Sequence, residues 1–302
     1  MDVIFATNNN FCQHAAVAIA SLLDNNKDED IRIHLFEIQC STDNITKIKE
    51  VAKKWNTQIT VYHITPEIFK GFPPTGNYSI ACYLRLLSPS LLPNLDKVLY
   101  LDCDLVVNGS IKELWNLDIS NHSMAALHDA ILSYDIVKDY LGYNYYKEGY
   151  INSGVLLINL KYWRENNTQE KLVNYLNTHT VKLPDQDALN IILHGTIKFL
   201  HPKWNCHVGY FAFPPLVIKE QKKYIKALWC KAIIIHFTGP AKPWYKECVN
   251  PYKKIYMRYL KQTPYKDYCL LNLESNRFKS ISIAFLRHIK NIVAKFISFI
   301  YK

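Results

Sequence analysis

The chain has 302 residues, 49% apolar, 21% charged and 13% aromatic, enough to bury one large core or two modest ones and too apolar for an intrinsically disordered protein. Its formal charge of +10 is unevenly spread: residues 1–200 carry 17 basic and 22 acidic side chains, residues 201–302 carry 19 and 4. An anionic partner is therefore expected at the C-terminal third. The eight cysteines, at 12, 40, 82, 103, 206, 230, 248 and 269, lie 18 residues or more apart with no Cys-x-x-Cys. That spacing reads as reduced thiols of a cytosolic protein, with neither a zinc site nor a redox motif. The N-terminus has Asp2 and no basic n-region, and no run of about 18 apolar residues occurs, so neither a secretory signal nor a membrane span is expected.

In chain order, Val3-Ile4-Phe5-Ala6 reads as a strand, Thr7-Asn8-Asn9-Asn10 as a turn, and Ala15 to Leu23 as a helix. Strand-like runs follow at Ile31–Ile38 and Gln58–Tyr62, separated by a helical segment, Asp43–Trp55, with Thr42 or Asp43 expected as its cap. Lys97–Leu101 and Met124–Leu127 continue the alternation, and Ser153–Asn159 and Ala232–Phe237 read as central strands. Strands alternating with helices of about a dozen residues predict an α/β, doubly wound parallel sheet that binds ligands at the carboxyl ends of its strands. After Trp244 the sequence turns rich in Tyr, Lys and Pro, as expected of an appendage wrapped on the main domain.

The sharpest chemical feature ends the strand Lys97-Val98-Leu99-Tyr100-Leu101: Asp102 and Asp104. In extended backbone residues i and i+2 share a face, so the two carboxylates can grip one divalent cation. Asp-x-Asp alone is weak, since it also stands at 28/30 and 185/187. Asp28-Glu29-Asp30 lies on a charged stretch and reads as a solvated turn, whereas two acids at the end of a buried strand need a cation or base to offset their desolvation. His236, closing its own strand before Thr238-Gly239-Pro240-Ala241-Lys242, is the best third ligand. Two carboxylates, an imidazole, a metal and a lysine describe a clamp for a diphosphate.

These residues resemble the retaining glycosyltransferases of family 8, and within it the bacterial lipooligosaccharide and lipopolysaccharide α-galactosyltransferases. The resemblance runs from Met1 to about Tyr268 through six ordered motifs: Ile4 to Asn10, Tyr83-Leu84-Arg85-Leu86, Lys97 to Asp104, Tyr150 to Asn159, Asp185-Gln186-Asp187-Ala188-Leu189-Asn190, and His236 to Trp244. It implies a GT-A fold, with a Rossmann-like, mostly parallel sheet flanked by helices, that uses UDP-galactose or UDP-glucose with Mn²⁺ or Mg²⁺. Ala6, Asn8 and Asn10 would then meet uracil and ribose. Asn8 stands where relatives often carry Asp and keeps an acceptor oxygen. Arg85, Asn152 and Asp185 would hold the donor sugar, Asp102, Asp104 and His236 the metal, and Gly239 and Lys242 the diphosphate. The family places Gln186 on the far face of the sugar, where a double displacement needs a carboxylate. An amide oxygen is a poor nucleophile, so front-face departure is expected. Asp129 and Asp187 are candidate acceptor-side or orienting carboxylates.

From Phe278 the chain carries Ile281, Phe285, Ile289, Ile292, Phe296 and Ile300 at spacings of 4, 4, 3, 4 and 4, with Arg287, Asn291, Ser298 and Lys302 opposite. This is the pattern of a basic amphipathic helix suited to an anionic membrane surface, or of a last helix docked on the core. The expected organisation is residues 1–244 catalytic, 245–277 appendage and 278–302 membrane-surface helix, at the inner face of the bacterial plasma membrane. A glycan or glycolipid is the expected acceptor. A nucleic-acid partner is not expected, because the tail's apolar stripe is uncovered by charge and no recognition motif occurs. A catalytically inactive sugar-binding or scaffold member of the same family is the alternative.

Overall fold

In the computed structural model, which describes residues 1–74, 78–129, 141–143, 149–207, 210, 219–239, 242–248 and 250–272, the apolar runs pair as two sheets. The strands are β1 (Asp2–Asn8), β2 (Arg32–Ile38), β3 (Ile59–His63), β4 (Lys97–Leu101), β5 (Leu105–Val107), β6 (Met124–His128), β7 (Ile151–Asn159), β8 (Ile197–Phe199), β9 (Cys206–His207) and β10 (Ile234–His236). Among the described residues, the larger sheet runs β3-β2-β1-β4-β7-β6-β8 and the smaller β5-β10-β9. β1 is parallel to β2 and β4, β2 to β3 and β6 to β8, while β7 is antiparallel to both β4 and β6. The expected mostly parallel α/β sheet is therefore present.

Its central strands are continuous apolar runs because both faces are covered. With a side-chain period of two, Val3, Phe5, Leu99, Leu101, Val155 and Leu157 face one core, and Ile4, Ala6, Val98, Tyr100, Leu156 and Ile158 face the other. Helix α1 (Cys12–Asp24) lies in the first core, buried from Ala15 to Leu23. Its alanines leave room for cover on two sides, by the sheet and by the helix Lys253–Leu260.

Two local expectations change. Helix α2 (Thr42–Lys53) is capped by Ser41, whose hydroxyl accepts from Asn44 N at 3.2 Å. The chain leaves β2 through left-handed Gln39 (φ 54°), which leaves Ser41, and neither Thr42 nor Asp43, as the last extended residue before the helix. The run Ala232–Phe237 supplies β10, which is the middle strand of the small sheet and no part of the large one. β1 and β7 already occupy both edges of β4, so the chain beyond Leu101 turns away and β5 offers β10 a new antiparallel edge. Asp28-Glu29-Asp30 is a turn, with Glu29 paired to Lys112 at 2.9 Å.

The segment after Trp244 returns to α1. His14 is buried and stacks on Trp244, with centroids 3.4 Å apart and planes 16° apart. Its Nδ1 meets the Tyr256 hydroxyl at 2.6 Å and its Nε2 meets the Gln13 amide nitrogen at 3.2 Å. Since Gln13 can only donate there, Nε2 accepts and Nδ1–H donates, so the ring is neutral. Burial pushes its pKa down to about 3, and burial likewise pushes His207 down to about 4. No helix among the described residues is long and apolar enough to cross a membrane. The proposed tail helix, residues 278–302, lies outside the described residues, as do residues 273–277 of the appendage.

Because the folded pKa values of these two histidines lie below the unfolded value of about 6.5, the unfolded chain binds more protons as pH falls. Stability is complete above about pH 6.5 and declines below it, by about 1.3 kcal/mol per histidine between pH 7 and 5.5. Urea unfolding at the two pH values is expected to show that loss, and His14→Gln to remove close to half of what the pair contributes.

Candidate active site

The site forms where the chain passes from one sheet to the other. β4 ends at Leu101, and Asp102 N donates to Gly154 O on β7 at 2.9 Å. Three residues later β5 begins, with Leu105 opposite His236 of β10, and Phe237 N donates to Asp104 O at 2.9 Å. Cys103 turns inward, its thiol on Ala6 O at 3.1 Å. Asp102 and Asp104 therefore face the cleft on either side of a buried anchor, opposite the end of β10.

His236 Nε2 lies 3.1 Å from Asp104 Oδ1 and 3.7 Å from Asp102 Oδ2, and one ligand atom from each of the three residues falls within 4.8 Å of the others. Burial alone would raise the Asp104 carboxyl, but Lys242 and His236 outweigh it and hold the group well below the usual carboxylate range. Lys242 Nζ contacts Asp104 Oδ2 and donates to Phe237 O at 2.8 Å. An ammonium thus stands where a cation is wanted, and two hard oxygens with one imidazole suit Mn²⁺ or Mg²⁺. A Cβ on Gly154 would run into the His236 ring and reach within 2.9 Å of Asp102 Oδ2, so the cradle requires glycine at this position.

The orientation of His236 is set from behind. Its Nδ1 meets Asn205 Oδ1 at 2.9 Å, Asn205 Nδ2 donates to Asn152 Oδ1 at 2.8 Å, and Asn152 Nδ2 points to Asp129 Oδ2 at 3.4 Å. Asp129, an acceptor only, fixes the direction of every amide in the series. The result is Nδ1–H toward Asn205, with Nε2 turned to the two aspartates, where it contacts Asp104 and is placed to give its lone pair to a cation that takes over that contact. Asn205 carries no motif in the sequence. What brings it here is β9, which pairs His207 beside His236.

Arg85, buried on the 3-10 helix Ile80–Leu87, joins the aspartate cluster to the helix Pro184–Leu193. Nη2 donates to Asp102 Oδ1 at 2.8 Å, Nη1 to Ser153 O, Nε to Cys82 O at 2.9 Å, and Nε stands 3.2 Å from Asp185 Oδ2. The guanidinium also lies 4.1 Å from the Tyr100 ring, and the Tyr100 hydroxyl donates to Asp102 Oδ1 at 2.8 Å. Burial raises the Asp185 carboxyl even against Arg85. Its Oδ2 is buried without a hydrogen bond. Gln186 Oε1 accepts from Ser153 N at 3.0 Å. Asp187 takes the Tyr150 hydroxyl on one oxygen and the backbone N–H groups of Lys182 and Leu183, both at 2.8 Å, on the other.

At the end of β1, Asn8 Nδ2 donates to Ser79 Oγ at 2.7 Å, which leaves its Oδ1 buried and without a hydrogen bond. Ala6 is buried beside it and Asn10 is exposed at the rim. Gly239 adopts φ +81°, a turn that L side chains resist. Pro240 and Ala241 lie outside the described residues. The structure thus gathers Asp102, Asp104, His236, Lys242, Arg85, Asn152, Asp185 and Gln186 into one connected cluster.

The model of Glycosyl transferase family 8 matches residues 2–248. A Haemophilus influenzae protein assigned as a glycosyltransferase is 32% identical over 256 residues, covering 82% of this chain and 74% of its own. A lipopolysaccharide 1,2-glucosyltransferase of Escherichia coli K12 is 30% identical over 270 residues, covering 88% and 79%. The crystal structure of the galactosyltransferase LgtC with donor and acceptor sugar analogues superposes with a TM-score of 0.78 at 27% identity, covering 87% of this chain and 96% of that one.

Removing the amide behind His236 frees its ring. Asn205→Ala is expected to lower Mn²⁺ affinity about ten- to a hundredfold, read by calorimetric titration. Gly154→Ala, by displacing the imidazole, is expected to abolish Mn²⁺ binding in the same titration.

Proposed function

The chain belongs to glycosyl transferase family 8, and on that premise we propose that it moves galactose or glucose from a UDP-hexose, with a divalent metal and with retention, onto a lipopolysaccharide, lipooligosaccharide or other surface glycan. The observation that carries this reading is the pair of buried acceptor oxygens without hydrogen bonds, Asn8 Oδ1 and Asp185 Oδ2, the first at the end of β1, which pairs with the strand leading into Asp102, and the second joined to Asp102 through Arg85. Burying an acceptor without a hydrogen bond costs about 1–3 kcal/mol, offset in part at Asp185 by Arg85 Nε 3.2 Å away, and a ligand with donors at both ends removes that cost. A UDP-hexose has such donors: the uracil N–H for Asn8 and sugar hydroxyls for Asp185. Named relatives act on lipopolysaccharide or use galactose, which supports the acceptor class and the two donors.

Asp102, Asp104 and His236 would hold the cation, which when bound neutralises charge on the diphosphate. Ala6 and Asn10 line the base and ribose end. Arg85 holds Asp102 and Asp185 at fixed separation, so that Asp185 and Asn152 meet the sugar. Lys242 and the Gly239 turn receive the charge that grows on the departing diphosphate, a role for which one well-placed donor contributes about 10²–10³ in rate.

Gln186 has its amide oxygen engaged by Ser153 N, and a neutral, already bonded oxygen is a poor nucleophile. We therefore favour departure and attack on the same face of the sugar through an ion-pair-like transition state, with a UDP phosphate oxygen taking the acceptor hydroxyl's proton. Asp129 and Asp187 act as orienting carboxylates, the first through Asn152 and the second by holding Tyr150 and the Lys182–Leu183 backbone. Residues 1–244 form the catalytic unit and 245–277 its appendage. The basic amphipathic pattern of residues 278–302 supports attachment to the inner face of the plasma membrane.

UDP release from UDP-galactose, UDP-glucose and UDP-N-acetylglucosamine, followed with Mn²⁺ and without acceptor, tests the reading. Release with one hexose donor, lost with EDTA and in Asp104→Ala, is expected. Silence with all three, together with tight Mn²⁺ and UDP binding, would identify a sugar-binding subunit without turnover. Gln186→Ala is expected to lower turnover at least about tenfold; full activity would exclude a direct role for the residue, and an isolable glycosyl-enzyme would establish double displacement.

A further inference from the structure

Two thiols far apart in sequence meet at the nucleotide end of the cleft. Cys12 Sγ and Cys40 Sγ are 3.4 Å apart, and both are free. The meeting follows from the sheet. β1 and β2 are parallel and in register to their last pair, Asn8 with Ile38, so the segments leaving them emerge side by side. Cys12 is the first residue of α1 and Cys40 follows β2 by two residues. The two segments are already joined: Asn9 Oδ1 accepts from Ser41 N and from Asn44 Nδ2, both at 2.8 Å. The Cys12 thiol also lies 3.4 Å from Asn8 O, on the backbone of the residue whose side-chain oxygen is left without a hydrogen bond.

We propose that Cys12 and Cys40 form a reversible disulfide that weakens nucleotide binding, making the end of β1 a redox-sensitive element of the enzyme. Cys12 is fully buried, whereas Cys40 is partly exposed, so a soluble reagent meets Cys40 first. The Cys40 sulfur attacks a low-molecular-weight disulfide R–S–S–R, loses its proton, and one R–SH leaves. The Cys12 sulfur then attacks the Cys40 sulfur of the mixed disulfide, and its proton departs with the second R–SH. Two protein thiols are oxidised and one small disulfide is reduced to two thiols. Cys12 suits the second step because its sulfur already stands 3.4 Å from that of Cys40.

A disulfide draws the two sulfurs to about 2.05 Å, more than 1 Å closer than they stand. That closure removes the thiol from Asn8 O and shifts the segments carrying Asn8, Asn9 and Ser41, where the uracil end of the donor is read. The chemistry of the pair is independent of the proposed donor; its effect on UDP rests on that reading.

The test treats the full chain with oxidised glutathione, then maps peptides by mass spectrometry and measures UDP affinity by calorimetry with Mn²⁺ before oxidation, after it, and after dithiothreitol. A Cys12–Cys40 linked peptide, a fall of about tenfold or more in UDP affinity and recovery on reduction are expected. Cys40→Ser, with Cys40→Ala as a second variant, is expected to keep the reduced protein's affinity under the same treatment. Glutathione adducts without the linked peptide, or the linked peptide with unchanged UDP affinity, would overturn the proposal. A reduced protein that binds no UDP would overturn the donor reading and the switch together, while the linked peptide would still report on the disulfide.

Discussion

The structure depends on one crossing. β4 has both edges filled, by β1 and β7, so the chain beyond Leu101 leaves the large sheet and begins the small one within three residues. Cys103 is held inward against Ala6 O, and its neighbours Asp102 and Asp104 emerge into the cleft between the sheets. Each carboxylate is desolvated enough to need a partner, and the fold supplies different ones: Arg85 and the Tyr100 hydroxyl for Asp102, Lys242 and His236 for Asp104. The close approach of β7 to this crossing requires Gly154, since any Cβ there meets the His236 ring. Removing the cationic partners lets two half-buried negative charges repel at the end of a core strand.

The site is therefore preorganised by its own polar network. Asp129, Asn152 and Asn205 form a directed series that ends on His236 Nδ1, and Arg85 fixes Asp102 relative to Asp185. Such networks are costly when incomplete and rigid when complete. The incompleteness is confined to Asn8 Oδ1 and Asp185 Oδ2 among the described residues, the two places where the proposed donor supplies hydrogen bonds. The cleft thus has a polar frame already satisfied by protein and two acceptors left for a ligand.

The carboxyl end of β1 is also tied to the C-terminal part of the chain. α1 begins four residues after Asn8, its His14 stacks on Trp244, and Trp244 follows Lys242 by two residues. The aromatic stack fastens the segment carrying Lys242 to the helix that starts just after the end of β1. A neutral, buried His14 is what allows that stack, and its depressed pKa follows from burial. Movement at Cys12 or Cys40 would reach the cleft through the same short path.

Local pattern alone was enough for β1 to β4, β6 and the helices α1 and α2, since continuous apolar runs broken by polar turns report a sheet covered on both faces, but it missed the short β5. It was also enough to single out Asp102, Asp104 and His236 as candidates for one cluster, and the structure brings them together, although the two aspartates stand on the bend between β4 and β5 and not on a strand. The resemblance to family 8 added Arg85, Asn152, Asp185 and Gln186, which periodicity does not single out. The cap of α2 was misplaced by one or two residues because a left-handed Gln39 has no signature in sequence. β10 was taken for a strand of the main sheet because an apolar run does not state which edge it will find. Asn205, the role of Gly154 and the Cys12–Cys40 contact were invisible, each depending on residues 28 to 82 positions away. Sequence by itself determined which residues are buried and which chemistry each strand end carries, since both follow from side-chain type and spacing. Tertiary structure alone decided which strand ends meet, because pairing between distant strands is set by edge availability and close packing.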